Sequence, residues 1–142
     1  GYPAGRVRLY AAFAEAGVTP IVLAGDSHAF WDNELKDAQG VRRAVEFGTS
    51  AVSSPSIGDA IGGFPLGAAL MQANDEVAFC DQSAKGFVLL SLEKDRAEAR
   101  LMAVSTIFAK PFEVWPLKRF SVSRDGQLAD ETATESLLRP TA

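Results

Sequence analysis

The apolar run Ile21-Val22-Leu23-Ala24-Gly25 constrains the fold of this 142-residue chain more than any other feature. A short, uninterrupted run with β-branched residues, introduced by Pro20, is typical of a strand buried on both faces. Residues 3–16 begin at a proline, carry apolar residues on one face and stop before Gly17, which predicts an amphipathic helix. Helix, short loop and buried strand together predict an α/β fold, in which ligands tend to bind at the carboxyl ends of the strands.

Composition excludes several other classes of protein. The chain is 47% hydrophobic and 23% charged, which is typical of one globular domain spanning residues 1–142. The net charge is −4, and the sequence has no run of basic residues that could neutralise phosphates, which argues against a nucleic-acid scaffold role. The single cysteine, Cys80, excludes an internal disulfide and a multi-thiolate zinc site. The longest apolar run, around 87–90, is far too short to span a membrane.

The rest of the chain is predicted to be β-rich. Residues 41–47 alternate in polarity and indicate a strand, although Arg43 falls on its apolar side. The other predicted elements are a Ser-, Gly- and Pro-rich loop over 50–67, a short helix over 65–74, a hairpin of 86–92 with 96–107, a second hairpin turning at Asp125-Gly126, and a fraying tail after Asp130.

The tetrapeptide Gly25-Asp26-Ser27-His28 directly follows the predicted first strand. Residues two apart in an extended segment point to the same side, so Asp26 and His28 are both expected to reach one metal ion or one substrate. Imidazole with carboxylate suits zinc, iron or manganese. One alternative is a non-catalytic β-rich structural or binding domain in which this loop is structural. The other is a Gly-Asp-Ser type serine esterase with Ser27 as nucleophile, which lacks a second histidine to act as base.

Three segments resemble one known family. They are residues 21–31 with the Gly-Asp-x-His block, residues 44–50 with 53–54, and residues 86–90 preceded by Asn74 and Asp81; the opening residues 1–6 resemble the helix start that precedes them. Together these segments resemble the C-terminal part of the PhoD-type alkaline phosphatases, of the metallophosphoesterase superfamily. The resemblance covers residues 1–107, whereas 108–142 form a hairpin and tail.

The resemblance implies a metal-dependent phosphoester hydrolase with a four-layer α-β-β-α sandwich, of which this chain is the C-terminal half. It implies Asp26 and His28 as metal ligands, and two or more metal ions in the parent protein: iron and calcium by family resemblance, with zinc or manganese possible. The remaining ligands are expected upstream of Gly1. The isolated fragment is therefore expected to bind metal weakly or not at all and to be inactive, and the parent is expected to be exported.

Four further residues are candidates for contacts around the metal or substrate. Phe30 and Trp31 follow the motif and are predicted to line the substrate pocket. Glu46 is a candidate for orienting His28, and Asp81 for a further active-site carboxylate. The expected partners are a phosphoester substrate, the N-terminal half of the parent, and, for the fragment alone, further copies of itself.

Overall fold

The computed structural model describes residues 2–132, which form two four-stranded sheets and three helices. The tail was predicted to begin after Asp130, and the part of it that follows Thr132 lies outside the described residues. In chain order the elements are α1 (Pro3–Ala16), β1 (Ile21–Ala24), β2 (Phe30–Lys36), β3 (Arg42–Gly48), α2 (Ile57–Ala60), α3 (Leu66–Ala73), β4 (Val77–Asp81), β5 (Lys85–Leu92), β6 (Arg96–Val104), β7 (Val114–Ser123) and β8 (Leu128–Asp130).

The first sheet has the strand order β1-β3-β2-β4 and is mixed. β1 runs parallel to β3, and β2 is antiparallel to both β3 and β4. The prediction that β1 is buried on both faces is wrong, because β1 is an edge strand and Leu23 is 61% exposed. The parallel pair nevertheless brings the loops after β1 and β3 to the same edge of the sheet, where the candidate site begins.

The second sheet is an antiparallel meander in the order β5-β6-β7-β8. Alternate residues of β6 are buried, as the sequence predicted: Ala97, Ala99, Leu101 and Ala103. The predicted hairpins are confirmed, β5 pairing with β6 and β7 with β8. Gly126 adopts a φ of 81° in the second turn, a conformation that glycine reaches at little cost.

The hydrophobic core lies between the two sheets, which therefore pack face to face. The first sheet contributes Phe30, Val45 and Phe47, and the second contributes Ala99, Leu101, Phe120 and Val122. Helix α1 contacts β3 and α3 contacts β4, so both helices lie against the first sheet. The fold is a β-rich mixed α/β architecture.

Helix α1 follows its predicted boundaries. Pro3 stands at its start, where a missing N–H costs nothing, and Gly17 ends it in the left-handed conformation. The predicted apolar face is only partly covered, because Tyr10 is buried while Val7 is 67% exposed. In the described part of the chain, no helix is long and apolar enough to cross a membrane.

The region predicted as one long loop contains the short helix α2. Helix α3 confirms the predicted short helix and ends at Asn74. Strands β2 and β4 were not predicted. In β2 the buried positions are Phe30 and Asp32. Because the charged Asp32 occupies a position that faces the core, β2 lacks the alternation of apolar and polar residues that would have indicated a strand.

Candidate metal-binding site

The Gly25-Asp26-Ser27-His28 segment is a tight turn. Asp26 has a φ of 72° and His28 a φ of 54°, both in the left-handed region that few non-glycine residues occupy. The Ser27 N–H donates to the Gly25 carbonyl at 2.9 Å, closing a three-residue turn around Asp26. The expectation of an extended segment is therefore wrong. Backbone strain of this kind concentrates at functional sites.

The imidazole of His28 is held by a backbone carbonyl. Its Nδ1 lies 2.7 Å from the Pro55 carbonyl oxygen, and because a carbonyl only accepts, Nδ1 must carry the proton. In the neutral imidazole Nε2 is then unprotonated, with its lone pair available to a metal ion. Metal-binding histidines commonly donate their other ring N–H in this way.

Glu46 does not orient His28, contrary to the prediction. Its Oε1 accepts a hydrogen bond from Asn33 Nδ2 at 2.8 Å, across the β2–β3 pair. The acceptor beside His28 is the Pro55 carbonyl oxygen instead. No side-chain pattern can reveal a backbone oxygen brought in from a loop 27 residues away.

Asp26 is exposed on the same turn, and its carboxylate has no hydrogen-bond or ion-pair partner among residues 2–132. A free carboxylate and an imidazole with an open Nε2 lie two residues apart on this turn, and zinc, iron and manganese accept both as ligands. Within that same range, no three His, Cys, Asp or Glu side chains gather closely enough to hold a metal ion. The residues present fit part of a metal site.

Ser50 ties the turn to the segment that leads into β5. Its hydroxyl lies 2.6 Å from the Ala84 carbonyl oxygen and 3.2 Å from that of His28. The preceding residue, Thr49, begins the loop after β3, and its backbone N–H donates to the Ala24 carbonyl at 2.9 Å. The loops after the parallel strands β1 and β3 are thus fixed to each other beside the candidate ligands.

The two aromatic residues after the motif occupy different environments. Phe30 is fully buried in the core, so the prediction that it lines a substrate pocket is wrong. Trp31 points to the other face of β2, where its indole N–H donates to Ser27 Oγ at 2.8 Å. Trp31, Ser27 and Gly25 help to line a cavity of about 340 Å³ beside the turn.

Asp81 ends β4 and closes the turn that follows it. Its Oδ1 accepts hydrogen bonds from the backbone N–H groups of Ser83 and Ala84, both at 2.8 Å. The neighbouring Cys80 is buried, and desolvation raises the pKa of its thiol. The two hydrogen bonds give Asp81 a structural task in the turn, and burial disfavours the thiolate form of Cys80.

A polar cluster that was not predicted from the sequence surrounds Pro55. The side chains of Ser56 and Asp59 form a capping box at the start of α2, and Lys85 lies 2.8 Å from Asp59 Oδ2. The Lys85 hydrogen bond, followed by the Ser56 backbone bond, lowers the pKa of Asp59. The Ser-x-x-Asp spacing at 56–59 is the sequence signal that could have revealed this cap inside the predicted loop.

A family model described as PhoD-like phosphatase matches residues 1–101, which is most of the chain and includes the turn with Asp26 and His28. The chain belongs to the PhoD-like phosphatase family. Membership relates it to phosphoester hydrolases and confirms the resemblance recognised from the sequence.

A solved structure described as that of PhoD has the same fold. The TM-score is 0.72 at 19% sequence identity, and the match covers 91% of this chain. It covers only 25% of the PhoD chain, so this PhoD-like sequence spans about a quarter of that protein. A search of curated proteins found no match.

Proposed function

We propose that this PhoD-like chain supplies the metal-binding motif Asp26-x-His28 to a metal-dependent phosphoester hydrolase of the alkaline phosphatase or phosphodiesterase type. The observation that carries the proposal is the 2.7 Å contact between His28 Nδ1 and the Pro55 carbonyl, which leaves Nε2 open. Family membership supports the phosphoester chemistry.

In this proposal the chain's residues bind and orient. His28 offers the Nε2 lone pair, and the exposed carboxylate of Asp26, two residues earlier, offers a hard, negatively charged oxygen. A bound metal pair would polarise the phosphoryl oxygens and lower the pKa of an attacking water. The Pro55 carbonyl keeps the proton on Nδ1, so that the imidazole stays in the tautomer that can bind a cation.

We further propose that the chain works as one portion of a larger catalytic domain. Support comes from the coverage of only 25% of the PhoD chain and from the ligand set: among the described residues no three potential ligand side chains cluster, whereas a metal pair needs more than two. The remaining ligands, and the second helical layer of a four-layer sandwich, would come from the N-terminal half of that domain. The substrate would be a phosphoester held between the two portions.

The test replaces two adjacent residues of the turn in the phosphatase that contains this chain. His28→Ala should lower phosphatase turnover by more than about a hundredfold, because it removes a metal ligand. Ser27→Ala is the matched control and should leave turnover within about threefold, since Ser27 is not the nucleophile. Hydrolysis of p-nitrophenyl phosphate measures both.

The esterase alternative predicts the reverse pattern. It requires Ser27 to pass its proton to a histidine, yet the Ser27 hydroxyl accepts from Trp31 and the chain's single histidine bonds to Pro55. If Ser27→Ala abolished turnover, or if a fluorophosphonate probe labelled Ser27, the assignment of a metal-dependent mechanism would be wrong.

A further inference from the structure

Helix α2 is held in place by polar contacts. It is one short turn over Ile57–Ala60 and has no buried residue, so apolar packing contributes little to its position. The Gly58 N–H donates to the Gln82 carbonyl at 3.1 Å, and a Cβ at Gly58 would come within 2.2 Å of that oxygen. The segment after Pro55 therefore lies tightly against the turn between β4 and β5.

Lys85 supplies most of the remaining attachment. Its side chain is only 11% exposed, and its ammonium group donates to Ser56 Oγ at 2.6 Å and to the Ser83 carbonyl at 3.0 Å. The same nitrogen lies 2.8 Å from Asp59 Oδ2. An ammonium has three N–H donors, and these three contacts use all of them.

One peptide group connects this cluster to the candidate ligand. The Pro55 carbonyl and the Ser56 N–H belong to the same planar peptide unit, so fixing one direction fixes the other. The Ser56 N–H donates to Asp59 Oδ2 at 2.7 Å, and the Pro55 oxygen accepts from His28 Nδ1 at 2.7 Å. Lys85 holds Asp59, Asp59 orients the peptide, and the peptide orients His28.

We propose that Lys85 is a positioning residue for the candidate metal site, which through Asp59 and the Pro55–Ser56 peptide holds His28 in the tautomer with Nε2 unprotonated. The role of that tautomer in metal binding rests on the proposed function. The link from Lys85 to the tautomer does not, so the two can be tested separately.

The experiment measures the tautomer of His28 by ¹⁵N NMR in the metal-free 142-residue chain. The chain has one histidine, so a single imidazole appears in the spectrum. At alkaline pH, wild type should show the proton on Nδ1, whereas Lys85→Met should show the mixture of tautomers of an unconstrained imidazole. Lys118→Met is the matched control: it removes a 2.8 Å ion pair with Asp130 on the second sheet and should leave the tautomer unchanged.

A second variant decides the matter if Lys85→Met does not fold. Asp59→Ala changes a partly exposed side chain and removes the acceptor of the Ser56 N–H, so it should release the tautomer as well. An Nδ1–H tautomer that persists in a folded Lys85→Met or Asp59→Ala chain would overturn the proposal. So would an equal change in Lys118→Met.

A Co²⁺ titration of the same variants separates this proposal from the proposed function. Loss of the orienting contacts should weaken Co²⁺ binding by about tenfold in Lys85→Met. Released tautomers without any Co²⁺ binding in wild type would support the positioning role, which does not depend on metal binding by the isolated chain. Equal Co²⁺ binding in wild type and Lys85→Met, with an unchanged tautomer, would contradict the positioning role alone.

Discussion

Asp32 makes an unfavourable contribution to the stability of this PhoD-like fold when it is ionised. Its side chain is fully buried on β2, opposite Phe47 and Phe79, and neither carboxylate oxygen has a hydrogen-bond partner within residues 2–132. Desolvation raises the pKa of Asp32 to about 7; the charges of Glu34 and Asp130 act in the same direction, whereas those of Arg42 and Lys118 oppose it. This shift keeps the buried, unpartnered carboxyl neutral below about pH 7.

The shifted Asp32 makes stability depend on pH. The folded chain holds this proton more tightly than the unfolded chain, where the pKa is near 3.8. Its contribution is therefore complete below about pH 4, is lost as the pH rises through about 7, and is constant above that. Each pKa unit is worth about 1.4 kcal/mol, so the loss is on the order of 4 kcal/mol.

Asp32→Asn should remove this loss, because an amide does not ionise. The variant should be more stable than wild type by about 1–3 kcal/mol at about pH 8, and the difference should shrink or reverse at about pH 5. Urea unfolding at the two pH values measures it. Parallel pH profiles for the two proteins would show that Asp32 is charged or paired in solution.

At the scale of elements, local sequence patterns predicted those parts of the fold that they alone control. Helix α1 and the β5–β6 hairpin lie where proline, glycine and period-two alternation placed them. Strand β2 escaped prediction because Asp32 occupies a core position, where long-range packing overrides the pattern. The left-handed residues Asp26 and His28 escaped for a related reason, since their turn is fixed by contacts with distant loops.

The inward face of β6 is expected to carry much of the stability of the second sheet. Leu101 is fully buried in the core, so Leu101→Ala should lower the free energy of unfolding by about 2–5 kcal/mol. Leu89, on the neighbouring strand, is 43% exposed, and Leu89→Ala is a control expected to cost less than about 1 kcal/mol. Equal losses in chemical unfolding would place the core of this sheet elsewhere.

At the scale of the whole molecule, several large apolar side chains face solvent. Val7 and Leu23 are more than half exposed near the first sheet, and Phe108 is 91% exposed after β6. The outer edge of β1 has no strand paired to it among the described residues. Exposed apolar surface and open strand edges both favour association.

We therefore expect the isolated chain to self-associate at micromolar concentration through an interface above roughly 800 Å². A charge on the open edge should weaken this association, so Leu23→Lys should shift the chain toward monomer. Val41→Lys, at a turn where the side chain is 46% exposed, is the control. Sedimentation that shows a monomer, together with no binding of an apolar dye, would contradict this expectation.

The assignment of Asp26 and His28 as metal ligands is tested most directly by paramagnetic NMR on the 142-residue chain. Two protein ligands leave most of the coordination sphere to water, so binding should be weak and reversed by a chelator. Added Mn²⁺ should selectively broaden the amide signals of residues 25–28, and this broadening should disappear in His28→Ala. Broadening centred on exposed carboxylates such as Asp75, or unchanged by His28→Ala, would contradict the metal site.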